Sequence, residues 1–435
     1  MNQWTAPCRR LEQNICVATA RDAMTGLHSG PALIRMVDVA LRREQPFTLI
    51  VLLMEGLLHH SEHHGIDAGE HMLRTVAKRF GEIVDPEDAI ARIDAGIFAA
   101  MTFDPEPERL ARRLCAAIRQ PVPWGAVEFH LTAASGLVSG DEDWSAGGEM
   151  IPAGYRAARE SLQDGRDEVA LFTAATRSRM AREASIEDRL WLAIAGDELT
   201  LALQPKVRAA DGRVLGAEAL LRWHDPVLGT VSPTEFIPIA ERSGIIGEVT
   251  AWVMRRALTQ AADWDAAGLD LTMAVNVSAI DLRQPDFVGM VRRLLAETGC
   301  SPTRLVLELT ESCLADDPER AVAQFCELKG LGVSLSLDDF GTGYSSLSQL
   351  RRFPIDHLKI DRSFVHGTPD DSGAVSIVRT IVALAQSLGI ETVAEGVETD
   401  GQAGFLKRLG VDLLQGFLYG RPLSADAFMA LAHAL

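Results

Sequence analysis

Positive charge is scarce in this sequence. Its 435 residues carry 42 Lys and Arg against 60 Asp and Glu, a net charge of −18. So acidic a chain is poorly suited to holding long nucleic acid through its phosphates. A small anionic ligand stays compatible with it if metal ions supply the missing positive charge. Cysteine is sparse too: Cys8, Cys16, Cys115, Cys300, Cys313 and Cys326, with no C-x-x-C pair. Scattered thiols of this kind fit a reducing, cytoplasmic setting. Long apolar runs are missing. The strongest, Leu49 to Met54, is far too short to span a bilayer. Residues 1–16 contain no apolar signal-peptide segment. The expectation is a cytoplasmic chain with no membrane span, served by an upstream sensor on another protein if it answers a membrane signal.

What is present is ordinary globular composition, 47% hydrophobic and 23% charged, which excludes disordered and fibrous classes. At roughly 100–200 residues per domain, two or three domains are expected. Residues 175–195 are rich in Ala, Arg and Glu without Gly or Pro, and read as a helix connecting two domains. The reading places an N-terminal extension at 1–17, a first domain at 18–174, a helical linker at 175–190 and a second domain at 191–435.

The second domain alternates short apolar strands with amphipathic helices. Strands are predicted over 199–204, 214–220, 271–277, 304–309, 333–338, 356–360, 390–395 and 411–415, with helices such as 318–331 and 374–388 between them. That alternation implies an α/β fold, a mainly parallel sheet with helices outside. Eight strands over about 240 residues suit a closed (β/α)₈ barrel. An open doubly wound sheet competes, although no G-x-G-x-x-G follows the first strand.

Polar residues gather where these strands end. Glu218, Asn276, Glu308, Asp338, Asp339, Lys359, Glu395 and Gln415 all lie at or near predicted C-terminal strand ends. In a barrel those ends share the rim that carries the chemistry. Five carboxylates converging there would repel one another, and bound cations would relieve this. Oxygen ligands with one amide favour Mg²⁺ or Mn²⁺ over Zn²⁺. Adjacent carboxylates at 338 and 339 point in different directions, so one can bridge two metals, as two-metal phosphoester hydrolysis requires. Taken singly, such a residue is more often a cap, a surface charge or a satisfied ion pair. The set, and the Gly- and Ser-rich segment 338–347 after it, point to a loop over a site.

Those residues carry a family resemblance. Gln204-Pro205, Glu218-Ala219-Leu220 running on to Arg222, Asn276-Val277-Ser278, Glu308-Leu309-Thr310-Glu311, the segment 338–347, Leu358-Lys359-Ile360-Asp361, Ala394-Glu395-Gly396 and Gln415-Gly416-Phe417 resemble the EAL family of cyclic di-GMP phosphodiesterases. The likeness runs from about residue 185 to the end. It implies a (β/α)₈-like barrel with an antiparallel first strand, and hydrolysis of cyclic di-GMP to linear pGpG on a two-metal Mg²⁺ or Mn²⁺ site. It implies that Glu218, Asn276, Glu308 and Asp338 hold the first metal, and that Asp338, Asp339 and Glu395 serve the second. Lys359 would position the nucleophilic water and Gln415 would help order it. Arg222 would contact a substrate phosphate, Gln204 and Leu220 would line the pocket, and Glu311 would brace the 338–347 loop. The family also suggests a homodimer through the barrel. The alternative function is a receptor or scaffold that holds cyclic di-GMP uncut and signals through the first domain.

The first domain is similar to the GGDEF family of diguanylate cyclases, in eroded form. Asp22 to Leu27 resembles that family's opening signature, but its namesake motif reads Asp94, Ala95, Gly96, Ile97, Phe98. The upstream metal Asp falls at Leu53, and the inhibitory Arg-x-x-Asp site reads Asp85-Pro86-Glu87-Asp88. The resemblance implies the cyclase-like α/β fold without its chemistry, in a regulatory or dimerising role. His59, His60, His63, His64 and His71 remain over. They read either as a site for Zn²⁺, Ni²⁺ or haem, or as drift on a solvated surface.

Overall fold

The structure is a computed structural model. It describes residues 20–434 apart from 142–143, 164–168, 197, 311–312, 314–317 and 341–351; at 163, 318, 339, 340 and 434 it describes the backbone only. The chain divides into two compact units at Arg182 and Glu183. Helix Ala174–Ala195 carries the chain from one into the other.

The first unit is built on a six-stranded sheet, in the order His28–Ser29, Ala89–Asp94, Ile97–Thr102, Thr48–Glu55, Thr132–Ser139, Val169–Leu171. Thr48–Glu55 lies inside the sheet, antiparallel to both neighbours. Its sequence is nearly all apolar because both faces are covered. Leu49 and Val51 pack with Leu33, Met36 and Met150 on one side. Ile50 and Leu52 pack with Met72, Phe80 and Leu114 on the other. A Cβ on Gly136 would stand 1.9 Å from the Gly154 carbonyl oxygen. Glycine there lets helix Gly147–Gln163 lie directly on the strand.

The second unit is a closed barrel. Its strands are Leu199–Arg208, Val214–Asp225, Thr272–Val277, Leu305–Thr310, Ser334–Phe340, His357–Ile360, Glu391–Ala394 and Leu413–Gln415. The first pairs antiparallel with both the second and the eighth. All other neighbours run parallel. Each predicted strand is present, and closure removes the open sheet as an alternative. The first strand runs past its expected end at Gln204. Pro205 brings no N–H to a ladder, but its neighbours carry the pairing: Gln204 opposite Glu218, and Lys206 opposite Gly216 and Gln415.

Helices including Ile246–Ala266, Phe287–Thr298 and Ser372–Leu388 surround the barrel. Ile186 and Leu190 of the connecting helix join its apolar core. Short caps follow strands that carry the site. Ser278 and Asp281 form a capping box directly after Thr272–Val277, which fixes the turn two residues beyond Asn276. Among the described residues, no helix is long and apolar enough to cross a membrane.

Candidate active site

Register brings the strand-end residues together. Asn276 lies opposite Glu308, Thr310 opposite Asp338, and Gln204 opposite Glu218. Because side chains alternate along a strand, the chosen positions meet inside the barrel at its C-terminal end.

Lys359 stands at the centre of the group, 1% exposed. Its Nζ lies 2.8 Å from Glu308 Oε2, 2.9 Å from Asp338 Oδ2 and 2.6 Å from Glu395 Oε1. The other oxygen of Glu308, Oε1, is taken by the Nζ of Lys206. Glu218 is held by amides instead. Asn276 Nδ2 donates to its Oε1 at 2.7 Å, and Gln415 Nε2 donates to its Oε2 at 2.6 Å. Gln415 Nε2 also reaches Gln204 Oε1 at 3.1 Å. Gln204, Glu218, Asp338, Lys359, Glu395 and Gln415 line one cavity of about 320 Å³, within the range of small-molecule sites.

The charges explain the titration of the group. Burial alone would raise the pKa of Glu308, but Lys206 and then Lys359 bring it down to about 2. Burial disfavours the Lys359 ammonium, yet Glu218, Glu308, Glu395 and Asp338 together lift its pKa well above the ordinary lysine value. Glu395 rises to about 7, chiefly through burial; Lys359 opposes that rise, and the other three carboxylates add to it. Once Glu395 is ionised, above about pH 7, four carboxylates (Glu218, Glu308, Asp338, Glu395) face two ammonium groups (Lys206, Lys359), which leaves two negative charges.

The residues fit a divalent cation. Every donor is a hard oxygen, the charge surplus is that of one such ion, and the buried Gln415 Oε1 has no hydrogen-bond partner among the described residues. Lys359 occupies the centre, and among the described residues no three His, Cys, Asp or Glu side chains form a ready ligand group.

Other predicted residues lie elsewhere. Leu220 and Arg222 line a neighbouring, mostly apolar cavity of about 290 Å³, which Asn276 borders. The Arg222 guanidinium donates to the Leu221 carbonyl at 2.8 Å. Asp339 belongs to strand Ser334–Phe340 by its backbone, and its side chain is not described. Glu311 and most of the 338–347 loop lie outside the described residues. Sequence reading missed Lys206, and also Arg362 and Phe417 on the cavity wall. Lys206 carried a signal, since it lies two residues from Gln204 and so on the same strand face. Gly416 is required beside Gln415, because a Cβ there would meet the Val397 backbone at 2.1 Å.

In the first unit, Leu53 and Ile97 stand opposite each other on adjacent strands. They pack in a small apolar cluster with Ala134, Ala158, Tyr155 and Leu162. Four of the histidines, His59, His60, His63 and His64, make up half of helix Leu57–His64. The His60 and His64 rings lie against Phe129, and His71 lies against Trp124.

The chain matches two families in tandem. Residues 187–422 match the EAL domain family, and residues 19–168 match the family described as diguanylate cyclase, GGDEF domain. It is 35% identical over 398 residues to the bifunctional diguanylate cyclase/cyclic di-GMP phosphodiesterase MucR of Pseudomonas aeruginosa, covering 91% of this chain and 58% of that protein. It is 32% identical to the cyclic di-GMP phosphodiesterase PdeR of Escherichia coli, covering 97% of this chain and 64% of PdeR. The chain therefore spans about three-fifths of these relatives. A solved structure of the PaMucR phosphodiesterase in complex with c-di-GMP is 42% identical, with a TM-score of 0.54, over 56% of this chain and 99% of that one. The S helix-GGDEF-EAL portion of Vibrio cholerae LapD shares the fold, with a TM-score of 0.61 at 19% identity over 94% of this chain and 98% of that one.

Proposed function

The chain belongs to the EAL family and carries a GGDEF-family domain ahead of its barrel; from that premise we propose that it hydrolyses cyclic di-GMP to linear pGpG with Mg²⁺ or Mn²⁺. The observation that carries this reading is Lys359 within 2.9 Å of three strand-end carboxylates on a polar cavity. Glu218, Asn276, Glu308 and Asp338 would hold one metal, and Asp338, Asp339 and Glu395 a second. Bound there, the pair supplies a clamp for the attacking and leaving oxygens of the phosphodiester.

The chain's own residues do the rest. Lys359 holds Glu308, Asp338 and Glu395 at fixed spacing and brings a positive charge to the place where the phosphate gains negative charge. Gln415 ties Glu218 to Gln204 and leaves its Oε1 as an acceptor for the attacking water. Purified protein with Mn²⁺ is expected to convert cyclic di-GMP to pGpG. Glu218→Ala and EDTA should each abolish the product. Tight binding without turnover in wild-type protein would instead place the chain among receptors.

The same reading makes the first unit catalytically silent. Leu53 and Ile97 stand where the resemblance places metal-binding acids, and apolar side chains pack around them. A homodimer through the barrel also belongs to this proposal, and a monomer at full activity in sedimentation would remove it.

A further inference from the structure

Barrel interiors are usually filled by branched apolar side chains, and Lys206 breaks that pattern. It lies on the antiparallel first strand, opposite Gly216 on one side and Gln415 on the other. Its side chain is 8% exposed, and its Nζ pairs with Oε1 of the fully buried Glu308. Lys359 pairs with Oε2 of the same carboxylate and is shared with Asp338 and Glu395. Lys359, Asp338 and Glu395 border a cavity that neither Glu308 nor Lys206 lines. Lys206 therefore stands behind Glu308, off that cavity's wall.

Resting on the hydrolytic reading above, we propose that Lys206 is a positioning residue that ties back one oxygen of Glu308, so that the other, which Lys359 holds here, stays turned toward the metal site. A buried ion pair is poor value as a stabiliser, since well-packed apolar residues often do as well. Its selective use here is geometric. A carboxylate with one anchored oxygen keeps one orientation, and groups that brace ligands in this way typically set metal affinity or activity by about 10–100-fold. Lys206 reaches from the first strand to Glu308 on the fourth, which the first does not border.

The test uses the full chain, stripped of metal by chelation. Mn²⁺ binding is read directly from the electron paramagnetic resonance of free Mn²⁺, beside the metal dependence of cyclic di-GMP turnover. Lys206→Met is expected to raise the half-saturating Mn²⁺ concentration about 10–100-fold in both readouts. At saturating Mn²⁺ the KM for cyclic di-GMP should be unchanged and kcat largely recovered. Lys206→Arg should restore part of the lost metal affinity, and Lys206→Gln replaces the Met variant if that does not fold. A folded neutral variant with an unchanged or lower Mn²⁺ midpoint overturns the proposal, including one that only melts earlier. Wild-type protein that binds no Mn²⁺ and cuts no substrate would overturn the hydrolytic reading itself. An active wild type with an unaffected variant overturns only the role of Lys206.

Discussion

Gln415 Nε2 donates to Glu218 Oε2 at 2.6 Å, joining the eighth barrel strand to the second across the antiparallel first. With Asn276 on Oε1, both oxygens of Glu218 are held by amides from other strands. Gln415→Ala is expected to lower kcat about 10–100-fold, with circular dichroism unchanged. Gln415→Glu should cost more, since it sets a second carboxylate against Glu218. Steady-state turnover at saturating Mn²⁺ checks both.

Lys359→Met leaves Glu308, Asp338 and Glu395 facing one another without the ammonium between them. Removing one partner from a buried ionic group costs about 3–5 kcal/mol. Without metal the variant should therefore melt well below wild type. Mn²⁺ should raise its melting temperature by mass action without restoring turnover, which falls about 10²–10³-fold. Calorimetric melting with and without Mn²⁺, beside an activity assay, separates the two effects.

GTP and Mg²⁺ should yield no cyclic di-GMP, because Leu53 and Ile97 offer no oxygen to a metal. Leu53→Asp should not create the activity. It should instead destabilise the first unit by about 2 kcal/mol or more, since it buries a carboxylate among Ala134, Ala158 and Tyr155. Product chromatography and thermal melting check the pair of outcomes.

Asp225 gives the barrel an acid-sensitive joint. Burial opposes its ionisation, but the Leu228 N–H, the Arg189 guanidinium and the Val227 N–H hold its carboxyl below the ordinary Asp range. The two backbone bonds are each 2.7 Å. A depressed carboxyl pKa contributes stability that is full above the unfolded value of about 3.9 and is lost as pH falls toward the folded value. Asp225→Asn should therefore cost about 1 kcal/mol at neutral pH. The gap from wild type should close below about pH 4. Urea melts across pH 2–7 check it.

Much of the barrel was legible in the residue order. Apolar runs of strand length, helical stretches between them and polar residues at each strand end identify the eight strands and the rim where the polar groups gather. Glu218, Glu308, Lys359 and Gln415 stand out because charged and amide groups at the ends of buried strands need partners. The residues at Asp94 to Phe98 were equally plain. Distances were not. Lys206 and Glu308 are 102 residues apart, and nothing local says that they touch. Closure of the barrel and the register of the first strand decide that contact, as they decide that Leu220 and Arg222 line a different cavity from Gln204. The facing of Leu53 and Ile97 rests likewise on antiparallel register. Residue types and spacing are set by the chain's own order, because they reflect local burial and periodicity. Partners across strands are set by pairing between distant segments, where a shift of one residue would turn every side chain to the other face.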